Sequence, residues 1–217
     1  MATNKGHWYD GWFYDRWIAP NQDALFAQIK TLLPTGAKVL DVGCGTGRLA
    51  FALADTCSSV LGIDLSVRNI QRAQLRLSRT PRRTVSFKHT TVGEILSNGR
   101  EHFDYAVLTY VLREMAEEER IPLLEATLKV ADRVIIGDYL VPVPAGLGSF
   151  LDVLVERAAG KDHYRGFRSY IEEGGLTGLI SRSPGEILSE SRDTGRGRHL
   201  VVVRHREPLV DPARMMT

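Results

Sequence analysis

Residues 39–47 read VLDVGCGTG, an apolar run that ends in alternating glycines. The apolar part predicts a buried strand, and the residues after it predict a tight turn followed by a helix. Glycines at alternate positions let the backbone turn sharply and approach a ligand closely, because no Cβ is in the way. A strand, a glycine loop and a helix in this order are typical of the nucleotide-binding edge of an open α/β sheet.

The loop departs from the fingerprint of dinucleotide-binding proteins. That fingerprint requires a glycine at its sixth position, where this chain has Arg48. Asp41 precedes the loop, and a carboxylate is unfavourable beside a pyrophosphate. We therefore expect a ligand that has a cationic centre and no phosphate, and we expect nicotinamide dinucleotides not to bind.

A second acid, Asp64, ends the next predicted strand, where residues 59–64 read SVLGID. The stretch VLDVGCGTG followed by this acid resembles the first motif, and the acid after it, of class I S-adenosylmethionine (SAM)-dependent methyltransferases. The motif-grade matches lie between residues 39 and 66, and the general resemblance extends from about Tyr14 to the last strand. It implies an enzyme that takes a methyl group from SAM and leaves S-adenosyl-L-homocysteine.

Alternating strand and helix patterns predict a parallel sheet with helices on both faces. The predicted strands are 38–42, 59–63, 84–88, 103–109 and 133–137, and the predicted helices are 21–33, 46–54, 67–79, 122–130, 150–159 and 167–180. The segments 186–191 and 199–206, joined by TGRG, predict a hairpin. The resemblance implies an α/β fold with a seven-stranded, mainly parallel sheet in the order 3-2-1-4-5-7-6 and a C-terminal antiparallel hairpin.

Length and composition set broad limits on the class of protein. A chain of 217 residues suits one domain, here residues 1–217, and a net charge of +2 gives little reason to expect a nucleic-acid partner. No apolar run approaches membrane-spanning length, so we expect no membrane partner. The N-terminus does not resemble a signal peptide, and two cysteines form no disulfide or metal pattern. We expect a cytoplasmic monomer or homodimer without a metal.

The resemblance assigns the cofactor to the loop and to the second acid. The backbone at Gly43 and Gly45 would pack against the amino-acid tail and the ribose of SAM. Asp64 would accept hydrogen bonds from both ribose hydroxyls, as a charge-assisted pair. A purely structural role for Asp64, as a helix-capping acid, is the alternative.

Four further residues complete the expected cofactor pocket. Asp41 either braces the loop or faces the ammonium group of SAM through water. Cys44 is interpreted as a small residue that fits the loop, and Leu65 as one apolar wall for the adenine. The acid that the family usually places after the third strand is missing here, where the sequence has Thr91 and Val92. Backbone groups at these two positions could still contact the adenine.

The ends of the fourth and fifth predicted strands carry polar and aromatic residues. Tyr110 follows the fourth strand, at the sheet edge where open α/β sheets bind ligands, and is predicted to line the methyl-donor cleft. Asp138 and Tyr139 end the fifth strand at the same edge and are candidates to face the acceptor. For each of these residues the alternative is an ordinary place in the core.

An aromatic cluster lies near the N-terminus, where residues 8–15 read WYDGWFYD. We interpret residues 1–20 as a lid over SAM and substrate, because aromatic faces stabilise a cation such as a sulfonium. Tyr14 is its best single candidate, since similar proteins carry a tyrosine at this distance before the glycine loop. The alternative is a helix that packs on the sheet through its aromatic face.

Residues 139–182 interrupt the strand–helix alternation and are interpreted as an insert that shapes the acceptor pocket. His163 and Tyr164 are the candidates to orient or deprotonate the acceptor, and Arg165 and Arg168 are candidates to hold a substrate carboxylate. Each of these side chains has an ordinary surface role as its alternative. The acceptor itself is expected to be a small molecule.

A basic stripe on the predicted helix 67–79 leaves a rival function open. Arg68, Arg72, Arg76 and Arg79 recur at three- and four-residue spacing, which fits a solvated helix face better than a nucleic-acid footprint. The rivals to a small-molecule methyltransferase are an RNA methyltransferase and a SAM-binding protein without catalytic activity.

Overall fold

The computed structural model describes residues 19–142, 161–195 and 197–206, with side chains from residue 22 and from residue 165 onward in the first two segments. Within them, one seven-stranded sheet forms the centre of the fold. Its strands are β1 (Lys38–Val42), β2 (Ser59–Asp64), β3 (Val85–His89), β4 (Phe103–Thr109), β5 (Ala131–Tyr139), β6 (Gly185–Asp193) and β7 (Arg198–His205).

The strand order β3-β2-β1-β4-β5-β7-β6 confirms the predicted topology. The first five strands in this order run parallel, whereas β7 is antiparallel to β5 and β6 is antiparallel to β7. Val42 at the end of β1 pairs with Ile63 of β2 and with Leu108 of β4. The carboxyl ends of these three strands therefore meet at one edge of the sheet.

Helices cover both faces of the sheet. They are α1 (Ala19–Leu32), α2 (Arg48–Leu53), α3 (Val67–Arg79), α4 (Val92–Asn98), α5 (Glu117–Val130), α6 (Lys161–Glu172) and α7 (Gly175–Ser181). Successive strand side chains point to opposite faces, so that Val39 packs into the core under α1 to α3 and Leu40 into the core under α4 to α7. Both side chains are completely buried, as expected for strands covered on both faces.

The helix α5 begins at Glu117, five residues before its predicted start at Pro122. Proline was expected near the first turn, but it lies inside the helix and removes only one backbone donor there. Acidic side chains fill the first turn, at Glu117, Glu118 and Glu119, and stabilise the positive end of the helix dipole. This favourable start offsets part of the local cost of the proline, and the buried side chains of Leu124 and Leu128 hold the rest of the helix on the sheet.

Three further helices differ from their predictions. The predicted helix 167–180 is two helices, because Gly174 and Gly175 adopt the left-handed conformation, with φ of 83° and 62°, and end α6. The helix α4 was not predicted, and the predicted helix 150–159 lies outside the described residues. The helix α2 begins two residues later than predicted, after Gly47.

A completely buried arginine fastens the 139–182 segment to the sheet. Arg120 of α5 donates to the backbone oxygens of Leu112, Met115 and Gly166 and to the carboxylate of Glu173. These partners belong to the turn after β4 and to α6 with the residue that follows it. The arginine thus sets the position of α6 against the carboxyl edge of β4 and β5.

Candidate functional site

The glycine loop after β1 has one side packed and one side open. A Cβ on Gly43 would lie 2.6 Å from Cγ2 of Val111, and one on Gly47 would lie 2.4 Å from the ring of Phe87. Gly45, with φ of 54°, has no atom within 4 Å of the place where its Cβ would be. The first and third glycines are therefore required by packing, while the middle one presents bare backbone to open space.

Asp64 connects this loop to the start of α3. Its Oδ2 accepts a hydrogen bond from the backbone N–H of Gly45 at 2.9 Å, and its Oδ1 accepts one from the N–H of Ser66 at 2.7 Å. The side chain of Asn69 lies 3.4 Å from the same Oδ1. A carboxylate has about four lone-pair positions, so this half-exposed group keeps capacity for ligand hydroxyls. The helix-capping alternative and the binding role of Asp64 are therefore both compatible with this geometry.

Asp41 is buried behind the loop, with 1% of its surface exposed. Burial and the nearby charge of Asp64 raise the pKa of Asp41 to about 7, and the backbone N–H of Ala50 lowers it only in part. The N–H of Ala50 lies near this carboxylate, but within the described residues neither carboxylate oxygen has a partner at full hydrogen-bond geometry. Bracing of the loop would show as such bonds, and buried carboxylates are seldom left without a partner.

Cys44 and Leu65 differ in exposure as their expected roles require. Burial, together with the charges of Asp41 and Asp64, raises the pKa of the Cys44 thiol, which favours the neutral thiol over the nucleophilic thiolate. Leu65 is 72% exposed, the highest value among the large apolar side chains that are exposed in the described segments. Its side chain is available as a wall for a flat ligand.

Thr91 and Val92 form the start of α4. The Thr91 hydroxyl accepts from the N–H of Glu94, while the Glu94 carboxylate accepts from the N–H of Thr91, both at 3.0 Å. This capping box occupies the threonine side chain. Val92 is 3% exposed and packs in the core. The N–H and the carbonyl of Thr91 are engaged as well, with Glu94 and Ile95, so the backbone of Val92 is the group left to contact an adenine.

Tyr110 adopts a backbone conformation that is uncommon for any residue other than glycine. Its φ is 57°, which costs about 1 kcal/mol or more and is typical of functional sites. Its N–H donates to the carbonyl of Gly137 at 2.9 Å. Its ring centroid lies 5.6 Å from that of Tyr139, which in turn lies 6.0 Å from that of Phe167 in an edge-to-face arrangement. The three rings form an aromatic wall at the ends of β4 and β5.

Arg113 lies on this wall and was missed in the sequence analysis. Its guanidinium carbon is 4.4 Å from the ring centroid of Tyr139 and 5.4 Å from that of Tyr110. Its Nε lies 3.5 Å from the carboxylate of Asp138. Burial raises the pKa of Asp138 to about 6, while the positive charge of Arg113 acts in the opposite direction. Asp138 is thus a buried partner of Arg113. No local sequence pattern predicts this pair.

The remaining candidates cannot be placed as fully. Tyr14 and most of the N-terminal segment lie outside the described residues, and so do the side chains of His163 and Tyr164. Both of the latter belong to α6. Arg165 is exposed, and Arg168 is an exposed partner of Glu172.

Two properties of the described residues bear on the class of site. Within residues 19–142, 161–195 and 197–206, no three His, Cys, Asp or Glu side chains are grouped so that they could hold a metal ion. None of the described helices is both long enough and apolar enough to cross a bilayer.

Part of the chain is similar to known proteins. A family model described as a methyltransferase domain matches residues 39–133. The ubiquinone biosynthesis O-methyltransferase of Roseobacter denitrificans is 33% identical over 81 residues, which are 37% of this chain and 32% of that protein. The magnesium-protoporphyrin O-methyltransferase of Rhodobacter capsulatus is 34% identical over 93 residues, 42% of this chain and 40% of that protein. The chain thus matches between about a third and two fifths of the length of these relatives.

A solved structure extends the likeness beyond the matched domain. The magnesium protoporphyrin IX methyltransferase of Synechocystis, crystallised with SAH, has a TM-score of 0.63 at 18% identity, over 93% of this chain and 89% of that one. This likeness concerns the fold and includes the C-terminal hairpin strands. The chain thus has the fold of a solved methyltransferase, and residues 39–133, a little under half of its length, match a methyltransferase domain.

Proposed function

We propose that this protein binds SAM at the carboxyl edge of β1, β2 and β4 and transfers its methyl group to a small-molecule acceptor, with S-adenosyl-L-homocysteine as product. One observation carries the proposal: the open backbone of Gly45 lies beside the Asp64 carboxylate that accepts its N–H. The two relatives described above are O-methyltransferases, which methylate an oxygen atom. This favours a hydroxyl or carboxyl oxygen as the acceptor.

The charges around the loop suit a phosphate-free cation. Asp41 and Asp64 lie close enough for each to influence the loop electrostatically. Arg48, the cation nearest to the loop in sequence, is paired with Asp23 at 2.6 Å. An ammonium or sulfonium group would offset the two carboxylates, and the buried Asp41 carboxylate would gain a partner, directly or through water. A pyrophosphate would meet the same acids with the wrong sign.

The main catalytic task proposed for this site is to hold SAM and the acceptor in line. When bound, SAM supplies an electrophilic methyl group on sulfur. The nucleophile forms a bond to the methyl carbon as the carbon–sulfur bond breaks, and the bonding electrons leave with sulfur. Asp64 and the backbone at Gly45 would orient the donor by its ribose and tail. Alignment of this kind contributes most of the acceleration in such a transfer.

The acceptor would lie against Tyr110 and Tyr139 of the aromatic wall, which are partly exposed, whereas Phe167 is buried beside them. Val111, the neighbour of Tyr110, is the residue that touches Gly43, so the wall adjoins the glycine loop. We assign the insert 139–182 to the acceptor and His163 to the removal of its proton, with Tyr164 beside it on α6. His163→Ala would then lower turnover by about 10²-fold or more without a change in SAM affinity.

Two other features remain part of the proposal. The segment 1–20, with Tyr14, would close over the bound molecules, so that removal of residues 1–17 weakens SAM binding while the core stays folded. The two cysteines that the structure describes, Cys44 and Cys57, are both buried and free, which supports a reducing, cytoplasmic location.

Calorimetric titration of the full chain with SAM, S-adenosyl-L-homocysteine and NAD tests the binding step. We expect the first two to bind and NAD not to bind. Comparable heats for NAD and SAM would contradict the proposal. A screen of hydroxylated and carboxylated small molecules for methylation then tests the transfer: if SAM binds but none of them, nor RNA, is methylated, the non-catalytic alternative gains support.

A further inference from the structure

The positive charge of this protein is concentrated in one segment. Between Asp64 and Glu94 the sequence contains no acidic residue, but it contains seven of the 28 lysines and arginines. The rest of the chain therefore carries 21 basic and 26 acidic side chains. An overall charge of +2 hides a strongly basic surface on a molecule that is otherwise acidic.

The structure places much of this charge on the outer face of α3. Ile70 and Ala73 on its inner face are buried, with 4% and 0% of their surfaces exposed. Arg68, Arg72 and Arg79 are exposed, and at four- and seven-residue intervals they form a stripe on the side opposite the buried pair. Arg76 lies to one side of this stripe, 4.2 Å from the ring centroid of Phe51.

An exposed leucine lies within the same stripe. Leu75 is three residues from Arg72 and four from Arg79, and therefore lies between them on the helix surface. It is 51% exposed. Leu65 is more exposed still, but it is already assigned to the adenine wall. Arg82 and Arg83, also exposed, continue the basic surface past the end of the helix.

From this arrangement we propose that the outer face of α3, defined by Arg68, Arg72, Leu75 and Arg79, docks on an anionic lipid surface. A basic helix face that also exposes an apolar side chain suits the boundary between lipid headgroups and acyl chains. Each cation near an anionic leaflet strengthens binding about fivefold. Docking of this kind needs no membrane-spanning segment, and it is independent of the proposed methyl transfer.

A nucleic acid fits the same surface less well. Proteins that hold single strands combine a basic groove with aromatic side chains on which bases stack. Between Leu65 and Gly93 the sequence has one Phe, Tyr or Trp, which is Phe87, and it is 6% exposed. Leu75 would also face phosphates without any favourable contact. Lipid accounts for both the arginines and the leucine, whereas a phosphate backbone accounts only for the arginines.

Vesicle co-sedimentation of the full chain tests the proposal. We expect binding to phosphatidylcholine vesicles that contain phosphatidylglycerol, little binding to phosphatidylcholine alone, and weaker binding as salt is raised above about 0.15 M. The double variant Arg72→Glu/Arg79→Glu should bind at least about 30-fold more weakly. The matched control Lys30→Glu/Lys129→Glu makes the same change in net charge at exposed positions outside the stripe and should bind anionic vesicles at least several-fold more strongly than the double variant.

Leu75→Gln separates lipid from other polyanions, because it leaves the charge unchanged. It should weaken vesicle binding several-fold, while Leu188→Gln, at a leucine of 40% exposure on β6, should not. SAM affinity and circular dichroism should be unchanged in all four variants. Failure to bind anionic vesicles would overturn the proposal. So would binding to duplex RNA or DNA that is tighter than binding to vesicles and insensitive to Leu75→Gln.

Discussion

The Asp64 carboxylate, at the end of β2, accepts a hydrogen bond from the backbone N–H of Gly45 at 2.9 Å. The bond joins two elements 19 residues apart in sequence and fixes the middle of the glycine loop beside an acid. The same carboxylate also accepts from Ser66 at the start of α3. One side chain therefore sets the relative positions of the loop, the second strand and the helix that would surround a nucleoside.

Asp64→Asn should weaken SAM binding by about 10–100-fold, because hydrogen bonds to a charged acceptor contribute about 1.5–3 kcal/mol. Calorimetric titration measures the affinity. Asp55→Asn is the matched control, since Asp55 is an exposed acid at the end of α2, away from the loop. Equal SAM affinity in wild type and Asp64→Asn would remove Asp64 from the site.

Gly45→Ala should separate ligand space from backbone strain. With φ of 54° and no atom within 4 Å of its Cβ position, the new methyl group meets only the strain of a left-handed residue, about 1–2 kcal/mol. Gly99→Ala, with φ of 59° and no neighbour within 4 Å, should cost a similar amount in urea unfolding. SAM affinity should fall at least about tenfold in Gly45→Ala only. A similar fall in both would assign the effect to strain.

Arg120→Met should destabilise the fold by about 3 kcal/mol, because it removes the buried partner of Glu173, which keeps only the half-exposed Arg182. It also leaves three backbone carbonyls without the donor that Arg120 supplies. The expected fall in the free energy of unfolding is measured by urea denaturation. Arg168→Met is the control: this arginine of α6 is 61% exposed and pairs with Glu172 four residues later, a contact that contributes about 0.5 kcal/mol or less. Equal effects of the two substitutions would show that Arg120 does not fasten α6.

The parts of the fold with strong local signals were predicted closely. The strands β1 and β4 have their predicted limits, because continuous apolar runs bounded by polar residues leave little choice of register. Ser66 caps α3 as expected, accepting from the N–H of Asn69 at 3.3 Å. The two segments that flank TGRG form β6 and β7, because the glycines favour a turn between them.

The misses have different physical causes. The helix α4 has the sequence signature of a capping box, Thr91-Val92-Gly93-Glu94, which was readable, but the helix is short and mostly polar, so its periodicity is weak. The break between α6 and α7 depends on Gly174 and Gly175. The apolar periodicity continues on both sides of this pair, so the sequence pattern predicted one helix.

Some contacts in the candidate site depend on tertiary structure and could not be predicted from local sequence patterns. Val111 reaches Gly43, and Arg113 lies on the ring of Tyr139, only because the turn after β4 is folded against neighbouring strands. The glycine loop and Asp64, in contrast, were selected as candidates from the sequence alone, because the order of strand, loop and acid is visible without tertiary contacts; their role in binding stays a prediction.

The pKa of Asp41, raised from 3.8 to about 7 by burial and by Asp64, links stability and ligand affinity to pH. The folded protein keeps a proton that the unfolded chain releases near pH 4, so ionisation in the interior costs stability as pH rises from about 4 to 7. Asp41→Asn removes this cost. It should therefore raise the free energy of unfolding at pH 8 by about 1–4 kcal/mol and leave it nearly unchanged at pH 4.

The same ionisation should govern the affinity for SAM. A cationic ligand favours the ionised carboxylate, so wild-type affinity should rise with pH up to about 7 and level off above it, whereas Asp41→Asn should bind weakly with a flatter profile. Urea unfolding and calorimetric titration across pH 5–8 measure both effects, and Asp55→Asn again serves as the control. If the variant is stabilised at pH 8 and still binds SAM as the wild type does, Asp41 lowers the stability of the fold and does not contribute to SAM binding. A variant that loses both stability and affinity would show that it braces the loop.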